Sequence, residues 1–324
     1  MPPTDDFLAS ILDNVRYTPP ADGSAEEIEC EIAPKELPNG HMLRGYRILK
    51  TLGAGGFGVT YLAEEKSLGR RVVLKENFPD SLCHRESGTL DVVLSFPERG
   101  DETFIWAHNN FMREARLLAA LDHPNIAKVY SFFSAHRTSY YVTEYIEGKS
   151  LADVVQDYNK IKLPIPQEAL LGVIIRVLDA LDHLHRLDLL HRDIKPDNIL
   201  INRRGLPMLI DFGAAREEYG DSDSNVVESA GFSPSEQSTP DGNMGPWTDL
   251  YAFGATLYYV LTGTCLPSCR ARDTFDTADP ISEHPVLSKQ FDKRILCSID
   301  RSIRPAIAER YQSAAEWIAD LDIG

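Results

Sequence analysis

The sequence has no apolar run of the roughly 18 residues that a membrane-spanning helix needs, and no secretory signal at its start. Its longest apolar stretch, from Leu250 to Gly263, contains two threonines and indicates a buried helix instead. An excess of glycine, proline or cysteine is also absent, which excludes collagen-like, wholly disordered and disulfide-scaffold chains. These absences favour a globular, cytoplasmic protein whose chain makes no contact with a membrane.

Cysteine is scarce, with five residues in 324. They stand at positions 30, 83, 265, 269 and 297, so only Cys265 and Cys269 are close in sequence. An odd number with a single close pair argues against a disulfide framework and against a zinc site. We therefore expect reduced thiols, as is usual in the cytosol.

Positive charge is in deficit, because 33 lysines and arginines face 49 acidic residues and give a formal charge of −16. Proteins that bind nucleic acid rely on clustered Lys and Arg side chains to neutralise phosphates. The deficit therefore disfavours a nucleic-acid partner. It favours basic or neutral protein partners, although solubility alone explains the same charge.

Residues 1–43 form an acidic extension that we expect to be partly disordered. Its first 40 residues hold nine acidic side chains against Arg16 and Lys35, and Pro19, Pro20, Pro34 and Pro38 interrupt any long element. The apolar spacing is compatible with one short helix, with Phe7, Leu8, Ile11, Leu12 and Val15 on one face. Because a lone helix of this length is marginal in water, it either docks on the globular body or binds a regulatory partner, and the sequence leaves both open.

Residues 44–146 have the pattern of a small antiparallel sheet with one helix. Strand-like segments with turn residues between them lie at 46–53, 59–65, 70–77, 129–135 and 139–146. A polar insertion, 79–108, interrupts them and contains a candidate hairpin at 87–96. Helical spacing follows over Phe111–Leu121, and His123-Pro124 ends it.

Residues 147–324 are helical by pattern. The clearest segment, Pro166–Arg186, repeats leucine and isoleucine at helical spacing, and helices dominate from there onward. A sheet-rich segment followed by a helical one predicts an α+β fold with a small N-lobe and a larger helical C-lobe.

Three glycines, Gly53, Gly55 and Gly58, lie between the first two strands. A dinucleotide-binding loop of this spacing would lead into a helix, but here a strand follows. A glycine-rich hairpin lets the backbone approach phosphates closely because no Cβ intervenes. Lys75, on the third strand, would then reach phosphate oxygens with its ammonium group, whereas taken alone it is equally explained as a solvated lysine at a strand end.

The segments HRDIKPDN at 191–198 and LIDFG at 209–213 carry the chemistry. Asn198 and Asp211 offer the hard oxygen ligands that Mg²⁺ prefers. Asp193 can accept the proton of an attacking hydroxyl group. Lys195 can offset the negative charge of a phosphoryl group in transfer. Together these residues predict phosphoryl transfer.

The glycine loop, Lys75, HRDIKPDN and LIDFG follow one another along the chain in this order. In this arrangement the chain resembles the eukaryotic-type serine/threonine protein kinases over residues 44–321. The segments LKENFP, LIDFGAAR and GPWTDLYAFGA are most similar to bacterial members. The resemblance implies a two-lobed protein kinase fold. It also implies transfer of the γ-phosphoryl group of ATP to Ser and Thr hydroxyls of proteins, including autophosphorylation, with Mg²⁺ or alternatively Mn²⁺.

By this resemblance Lys75 holds the α and β phosphates and pairs with Glu114 of the N-lobe helix, with Glu102 as an alternative because the insertion intervenes. The positions implied around adenine are Leu52, Thr143 as gatekeeper, the backbone of Glu144 and Ile146, and Leu200. Thr60 and Val73 stand where the family often has Val and Ala, which bears on nucleotide affinity and not on the chemistry.

The resemblance also places an activation segment at Asp211–Glu236. Within it, Ser229 corresponds to the residue that bridges the catalytic aspartate and lysine. Glu236 would pair with Arg310 in a buried link whose loss would loosen the lower lobe. Asp249, on the helix that follows, would brace the catalytic loop.

Arg192 and Arg216 form a candidate basic pocket for a phosphorylated residue of this segment. The nearest acceptors are Ser222 and Ser224. Four carboxylates surround these serines, at Glu217, Glu218, Asp221 and Asp223. Either a phosphoserine or an acidic side chain would fill the pocket, and the sequence leaves both open. A phosphoserine would also suit a phosphopeptide-binding partner.

Two other functions compete with a protein kinase. A catalytically silent pseudokinase scaffold would share the fold, but every catalytic position is filled here. A small-molecule phosphotransferase would lack the SPSEQ segment at 233–237 and the braces Asp249 and Arg310, all of which are present. We expect His183 and His185 to pack rather than bind a metal ion. Bacterial relatives often continue into further segments, so whether the native protein extends beyond residue 324 stays open.

Overall fold

The computed structural model describes residues 34–321 except for 57, 96–103, 106–107, 110, 113–114, 117, 213–230 and 240–241. The chain divides into two compact units. The first comprises the residues up to Leu121 together with Lys128–Tyr145. The second comprises Asp122–Ala127 together with the residues from Ile146 onward.

The first unit contains an antiparallel sheet and a separate hairpin. Its strands are β1 (Met42–Leu43), β2 (Tyr46–Gly55), β3 (Gly58–Glu65), β4 (Arg70–Asn77), β5 (Cys83–Arg85), β6 (Val92–Leu94), β7 (Val129–Ala135) and β8 (Thr138–Glu144). The sheet has the order β1-β2-β3-β4-β8-β7, while β5 pairs with β6 in a separate hairpin. The antiparallel sheet that the sequence predicts for the N-lobe is therefore confirmed.

Strand β4 shows how the period-two alternation of a strand divides the sheet into two faces. Val72 and Leu74 are fully buried in the core of the unit. Glu76 follows on the same face and is 1 % exposed. Burying an apolar side chain stabilises the fold by about 1.5–3 kcal/mol, whereas a buried carboxylate is costly unless it is paired and hydrogen-bonded. Glu76 therefore needs partners within the core.

The helix of the first unit, α1, begins earlier than the sequence indicates. Residues 104–105, 108–109, 111–112, 115–116 and 118–119 are helical. Its buried residues recur at helical spacing and are Phe104, His108, Met112, Ala115 and Leu118. The chain is thus already helical at Phe104, ahead of the predicted start at Phe111. The buried stripe continues through His108, which an apolar pattern does not count.

The insertion and the end of the extension both contribute to the first unit. Strand β6 lies within the predicted hairpin range 87–96, but its partner β5 precedes that range. The sequence does not indicate β5, because three residues are too few to show an alternation. Residues 34–43, which the sequence assigns to the extension, add Leu37 and Leu43 to the core at 2 % exposure each. Residues 1–33, with the predicted short helix, lie outside the described residues.

The second unit is mainly helical. Its helices are α2 (Leu151–Ile161), α3 (Gln167–His185), α4 (Pro246–Thr262), α5 (Cys269–Thr274), α6 (Leu287–Gln290), α7 (Lys293–Ser302) and α8 (Ala314–Asp320). A small antiparallel sheet combines β9 (Gly148–Ser150), β10 (Ile199–Asn202) and β11 (Pro207–Leu209) in the order β11-β10-β9. The helices predicted over Pro166–Arg186 and Leu250–Gly263 are confirmed as α3 and α4, and the α+β class is confirmed with them.

Local sequence explains where the helices of this unit begin and end. Ser150 caps α2, because its Oγ accepts from the N–H of Asp153 at 3.0 Å while the Asp153 carboxylate accepts from the N–H of Ser150 at 3.3 Å. Helix α4 begins at Pro246, a residue suited to the first turn. It ends at Gly263, whose φ of 73° terminates the helix in the left-handed region.

The core of the second unit is formed largely by α3 and α4. Helix α3 buries a stripe that includes Ile174, Leu178 and Leu181, and α4 buries its entire stretch from Thr248 to Leu257. Within the described part of the chain, no helix combines the length and apolar character that a bilayer crossing requires. The four described cysteines are free thiols.

Candidate active-site residues

The glycine-rich segment forms the turn between β2 and β3. Gly55 lies opposite Gly58, so the hairpin reverses over two residues. A Cβ on Gly58 would lie 2.4 Å from the carbonyl oxygen of Glu76, and the close approach of β3 to β4 therefore requires glycine there. Leu52, which is predicted to cover adenine, is 45 % exposed on β2. At the tip of this hairpin, Gly55 and Gly56 have no side chains and can offer only their backbone groups.

Lys75 shares one face of the sheet with side chains from the two neighbouring strands, β3 and β8. Lys75 lies opposite Thr60 on β3 and opposite Tyr141 on β8, and Val73 lies opposite Thr143. Directly opposed residues of an antiparallel pair share a face. Four of these five residues are predicted to contact the nucleotide. Tyr141 is not, yet its ring centre lies 5.8 Å from Lys75 Nζ.

The remaining residues predicted to bind nucleotide are distributed over both units. In the first unit, Glu144 donates its N–H to the carbonyl oxygen of Lys128 at 2.8 Å. In the second unit, Ile146 and Leu200 belong to one small apolar cluster. Glu114, like its alternative Glu102, lies outside the described residues, so its pairing with the lysine stays a prediction.

The loop between α3 and β10 carries a network centred on Asp193. Lys195 Nζ donates to both oxygens of the Asp193 carboxylate, at 3.0 and 2.9 Å. Asn198 Nδ2 donates to the backbone carbonyl and to Oδ2 of Asp193, both at 2.8 Å. Hydrogen bonds to ionised groups are shorter and stronger than neutral ones. The three residues predicted from the HRDIKPDN segment therefore form one group with a fixed carboxylate.

Asn198 and Asp211 have the donor chemistry of a divalent-metal site. Because the Asn198 amide nitrogen faces Asp193, the amide oxygen is left as a ligand atom. The N–H of Ile210 donates to the backbone carbonyl of Asn198 at 3.0 Å, which brings the following residue, Asp211, beside it. An amide oxygen and a carboxylate suit a hard cation such as Mg²⁺. Throughout the described ranges, this site included, no group of three His, Cys, Asp or Glu side chains could hold a metal ion.

Asp249 anchors the strained start of the HRDIKPDN loop. Arg192 has a φ of 63°, in the left-handed region that non-glycine residues rarely adopt. The buried Asp249 carboxylate accepts from the N–H of His191 at 2.9 Å and of Arg192 at 2.8 Å. His185 Nε2 donates to the same carboxylate at 2.9 Å. Gln237 Nε2 donates to the Arg192 carbonyl at 2.6 Å, so both peptide groups of the strained residue are held.

Burial shifts the pKa values of the titratable groups in this brace. Burial raises the pKa of Asp249, but the hydrogen bond from His185 and the N–H of Arg192 lower it more, and the net pKa lies below the usual range. Burial lowers the pKa of His191 by more than the neighbouring carboxylates raise it. His191 is therefore neutral, and it donates from Nε2 to the Ile210 carbonyl at 3.2 Å while Nδ1 accepts from the N–H of Asp193 at 3.4 Å.

Glu236 and Arg310, which the sequence predicts to pair, are in direct contact. Arg310 Nη1 lies 2.7 Å from Glu236 Oε1, and the two side chains are 0 % and 6 % exposed. Arg310 also donates to the carbonyl oxygens of Arg304 at 2.6 Å and Pro305 at 2.5 Å. These bonds satisfy a buried guanidinium that would otherwise be costly.

Most of the predicted activation segment, residues 213–230, lies outside the described residues. That range includes the basic-pocket residue, the candidate phosphorylation sites, the bridging serine and the acidic neighbours, namely Arg216, Ser222, Ser224, Ser229, Glu217, Glu218, Asp221 and Asp223. The basic pocket and its occupant therefore stay predictions.

A buried polar network beside Lys75 was missed by sequence reasoning. Glu76, the next residue on β4, accepts from the hydroxyl groups of Tyr61 at 2.7 Å and Tyr140 at 2.5 Å. Arg85 Nη2 donates to both oxygens of the same carboxylate at 2.8 Å. Burial raises the pKa of both tyrosines, and the carboxylate raises it further, so both phenols stay protonated donors. The available signal was the alternation of β4, which places this carboxylate among core residues.

Two histidines at the end of α3 have different surroundings. The His183 ring packs against His123, with ring centres 5.3 Å apart. His185, which the sequence assigns to packing, has the polar contact with Asp249 described above. Helical periodicity marks both as partly buried but does not show which one faces a carboxylate.

Comparison with known proteins identifies relatives over most of the chain. A family model described as a protein kinase domain matches residues 46–294. The serine/threonine-protein kinase PknA of Nostoc sp. (strain PCC 7120 / SAG 25.82 / UTEX 2576) is 32 % identical over 292 residues, which cover 86 % of this chain and 47 % of PknA. PrkC of Bacillus subtilis (strain 168) is 30 % identical over 291 residues, which cover 85 % of this chain and 40 % of PrkC. The chain thus spans less than half the length of these two relatives.

Solved structures show the same fold. A chain described as "PpkA-294 apo form" has a TM-score of 0.78 and 32 % identity, and the match covers 89 % of this chain and 100 % of that one. The Mycobacterium tuberculosis PknI kinase domain has a TM-score of 0.63 at 22 % identity, which shows the fold alone. The predicted fold, with an antiparallel-sheet N-lobe and a helical C-lobe, is thereby confirmed. The chain belongs to the protein kinase family, among the eukaryotic-type serine/threonine kinases of bacteria.

Proposed function

We propose that this chain is an active serine/threonine kinase that transfers the γ-phosphoryl group of ATP to Ser and Thr hydroxyls of proteins. The observation that carries the proposal is the Asp193 carboxylate, which Lys195 and Asn198 hold in one orientation. Phosphoryl transfer depends mainly on positioning and on electrostatic stabilisation. A carboxylate fixed beside an ammonium group supplies both.

Asp193 is proposed to orient the substrate hydroxyl and to accept its proton. The hydroxyl oxygen bonds to the γ-phosphorus while the bond from that phosphorus to the bridging oxygen breaks and ADP leaves. Lys195, which lies 2.9 Å from the Asp193 carboxylate, offsets the negative charge of the phosphoryl oxygens. The relatives PknA and PrkC are both named serine/threonine-protein kinases, which supports Ser and Thr as acceptors.

Lys75 is proposed to bind the α and β phosphates of ATP, with Glu114 as its partner. Its position on one face with Thr60, Val73 and Thr143 supports this role. The glycine hairpin would cover the phosphates through the backbone of Gly53, Gly55 and Gly58. Adenine would contact Leu52, Leu200 and the backbone of Glu144 and Ile146. Because the N–H of Glu144 already donates within the first unit, its carbonyl is the group proposed for adenine.

Asn198 and Asp211 are proposed to hold Mg²⁺, with Mn²⁺ as an alternative. When bound, the ion neutralises charge on the phosphates and orients them. The orientation of the Asn198 amide supports this role, because its nitrogen is used by Asp193. Asp211 has a φ of 61°, a strained backbone of the kind found at functional sites.

Regulation by the activation segment is also proposed. Arg192 and Arg216 would bind a phosphate on Ser222 or Ser224, and Ser229 would bridge the catalytic aspartate and lysine. The fixed backbone of Arg192 supports the first of these roles. An autophosphorylated serine would give a phosphopeptide-binding partner its ligand. We place this activity in the cytoplasm, where ATP is available and thiols stay reduced.

Mass spectrometry of the intact protein after incubation with Mg-ATP tests the function. We expect added phosphate on the unmodified chain and a rate roughly 10² to 10⁴ lower in Asp193→Asn, the range for loss of a general base. Asp197→Asn is the matched control, because this exposed aspartate lies in the same turn between Lys195 and Asn198. The proposal would be contradicted if Asp193→Asn incorporated phosphate as fast as the unmodified chain, or if the unmodified chain bound no nucleotide.

A further inference from the structure

A lysine from the N-terminal extension reaches the tip of the glycine-rich hairpin. Lys35 Nζ donates to the carbonyl oxygen of Gly55 at 2.5 Å and to the Asp80 carboxylate at 3.0 Å. The same ammonium group lies 5.4 Å from the ring centre of Phe78. The lysine side chain is 21 % exposed, so these contacts are made in a partly shielded environment.

The described glycines at the hairpin tip have open space where a side chain would stand. A Cβ placed on Gly55 would meet no atom within 4 Å, and one on Gly56 would meet only Asp80 Oδ1 at 3.7 Å. The N–H of Asp80 donates to the carbonyl of Gly56 at 3.0 Å. Two consecutive carbonyl groups at the tip are thus held from one side, by Lys35 and by Asp80.

Lys35 is itself anchored to the core of the first unit. Its carbonyl oxygen accepts from Arg85 Nε at 2.9 Å. Two residues later, the buried Leu37 donates its N–H to the Tyr61 hydroxyl at 3.1 Å. Arg85 and Tyr61 both bond to Glu76, the neighbour of Lys75 on β4. The short segment 35–37 therefore has a fixed position relative to β4.

We propose that Lys35 is a positioning residue that holds the tip of the glycine-rich hairpin in place for the phosphates of ATP. This inference rests on the proposed function, since it assigns a role to the loop that binds ATP. Carbonyl oxygens carry partial negative charge and repel phosphate oxygens, so a lysine that bonds to the Gly55 carbonyl, beside the Gly56 carbonyl held by Asp80, favours an anion at the tip. The same contact orders the glycine-rich loop in advance, so that binding of the nucleotide costs less conformational entropy.

The test compares binding of Mg-ATP and of adenosine to full-length variants by calorimetry. In Lys35→Ala and Lys35→Met we expect Mg-ATP affinity to fall roughly tenfold, the effect of losing one charge-assisted hydrogen bond. Adenosine lacks phosphates, so its affinity should stay within about twofold. Lys35→Arg keeps the positive charge and the hydrogen-bond donors, so this variant should retain most of the affinity for Mg-ATP. Lys66→Ala, an exposed lysine in the turn between β3 and β4, is the matched control.

The outcomes separate this inference from the function on which it rests. An unmodified chain that binds no Mg-ATP would overturn both. If the unmodified chain binds Mg-ATP and both Lys35→Ala and Lys35→Met bind it equally well, only the role of Lys35 is wrong. Equal losses for Mg-ATP and adenosine, or a lower thermal midpoint of unfolding in both variants, would make the lysine a structural residue and would also overturn the proposal.

Discussion

Glu76 is a charged residue in the core of the first unit, and its neighbours determine whether it can be tolerated there. Two tyrosine hydroxyls and the Arg85 guanidinium donate to its carboxylate. Arg85 is fully buried and directs its other donors to the carbonyl oxygens of Lys35 and Leu90. A buried ion pair repays its desolvation only when its remaining hydrogen bonds are made. Here the pair also connects strand β4 with the extension and with the insertion.

Arg85→Met should therefore destabilise the first unit strongly. It leaves the Glu76 carboxylate buried without its counter-ion, and removing one partner of such a pair costs about 3–5 kcal/mol. Arg71→Met, an exposed arginine on β4, is the control and should stay within about 0.5 kcal/mol. Urea denaturation measures both free energies of unfolding. An Arg85→Met protein as stable as the control would show that the ion pair is dispensable.

The residues of the HRDIKPDN loop could be predicted from sequence, whereas the Glu76 network could not. Asp193, Lys195 and Asn198 lie within six residues of one another, so a linear motif specifies all three. Glu76 and Arg85 meet only because the insertion folds back as a hairpin, and the three residues of β5 carry no period that would indicate it. A buried carboxylate can be inferred from alternation, but its partner cannot.

At the scale of elements, the hairpin of β2 and β3 combines a glycine-rich tip with a tight attachment to β4. The attachment is closest at Gly58, whose position leaves no space for a Cβ beside the carbonyl of Glu76. Gly53, on the other strand of the hairpin, has no atom within 4 Å of its Cβ position. The two glycines of one motif therefore meet different steric requirements.

Gly58→Ala should destabilise the protein by about 1–3 kcal/mol, the usual cost of forcing extra atoms into a packed position. Gly53→Ala is the comparison within the same hairpin and should change the free energy of unfolding by less than about 1 kcal/mol. Chemical denaturation followed by circular dichroism distinguishes the two variants. Equal effects at both positions would contradict the steric argument.

Periodicity predicts the longer elements well and the short ones poorly. Helix α3 follows directly from its leucine and isoleucine spacing, and β4 follows from its alternation. The start of α1 does not, because the buried residue His108 is polar. Elements of three residues, such as β5, are held by tertiary contacts, so their own sequence contains little that distinguishes them from a loop.

At the scale of the whole molecule, histidines with lowered pKa values lie in both units. Burial lowers the pKa of His108 in α1, and the charge of Arg116 lowers it further. Burial lowers the pKa of His41, and the charges of His136 and Arg85 lower it further. In the second unit, burial lowers the pKa of His191. Each of these residues binds a proton less readily in the folded chain than in the unfolded one.

The free energy of unfolding should therefore fall as the pH decreases from 7.5 to 5.5. Unfolded histidines titrate near about 6.5, so below that pH the unfolded chain takes up protons that the folded chain excludes. Above it, the contribution of these residues is fully present. His108→Gln should flatten the pH dependence. A slope that is unaffected by His108→Gln would contradict this assignment.

The buried link between Glu236 and Arg310 has a practical consequence for protein production. The range that matches the kinase family ends at residue 294 and begins at residue 46. A recombinant fragment trimmed to those limits would lack the guanidinium that neutralises Glu236 and the Leu37 side chain in the core of the first unit. Such a fragment would tend to aggregate on expression, so cloning boundaries are better chosen from the buried charges than from the homologous range.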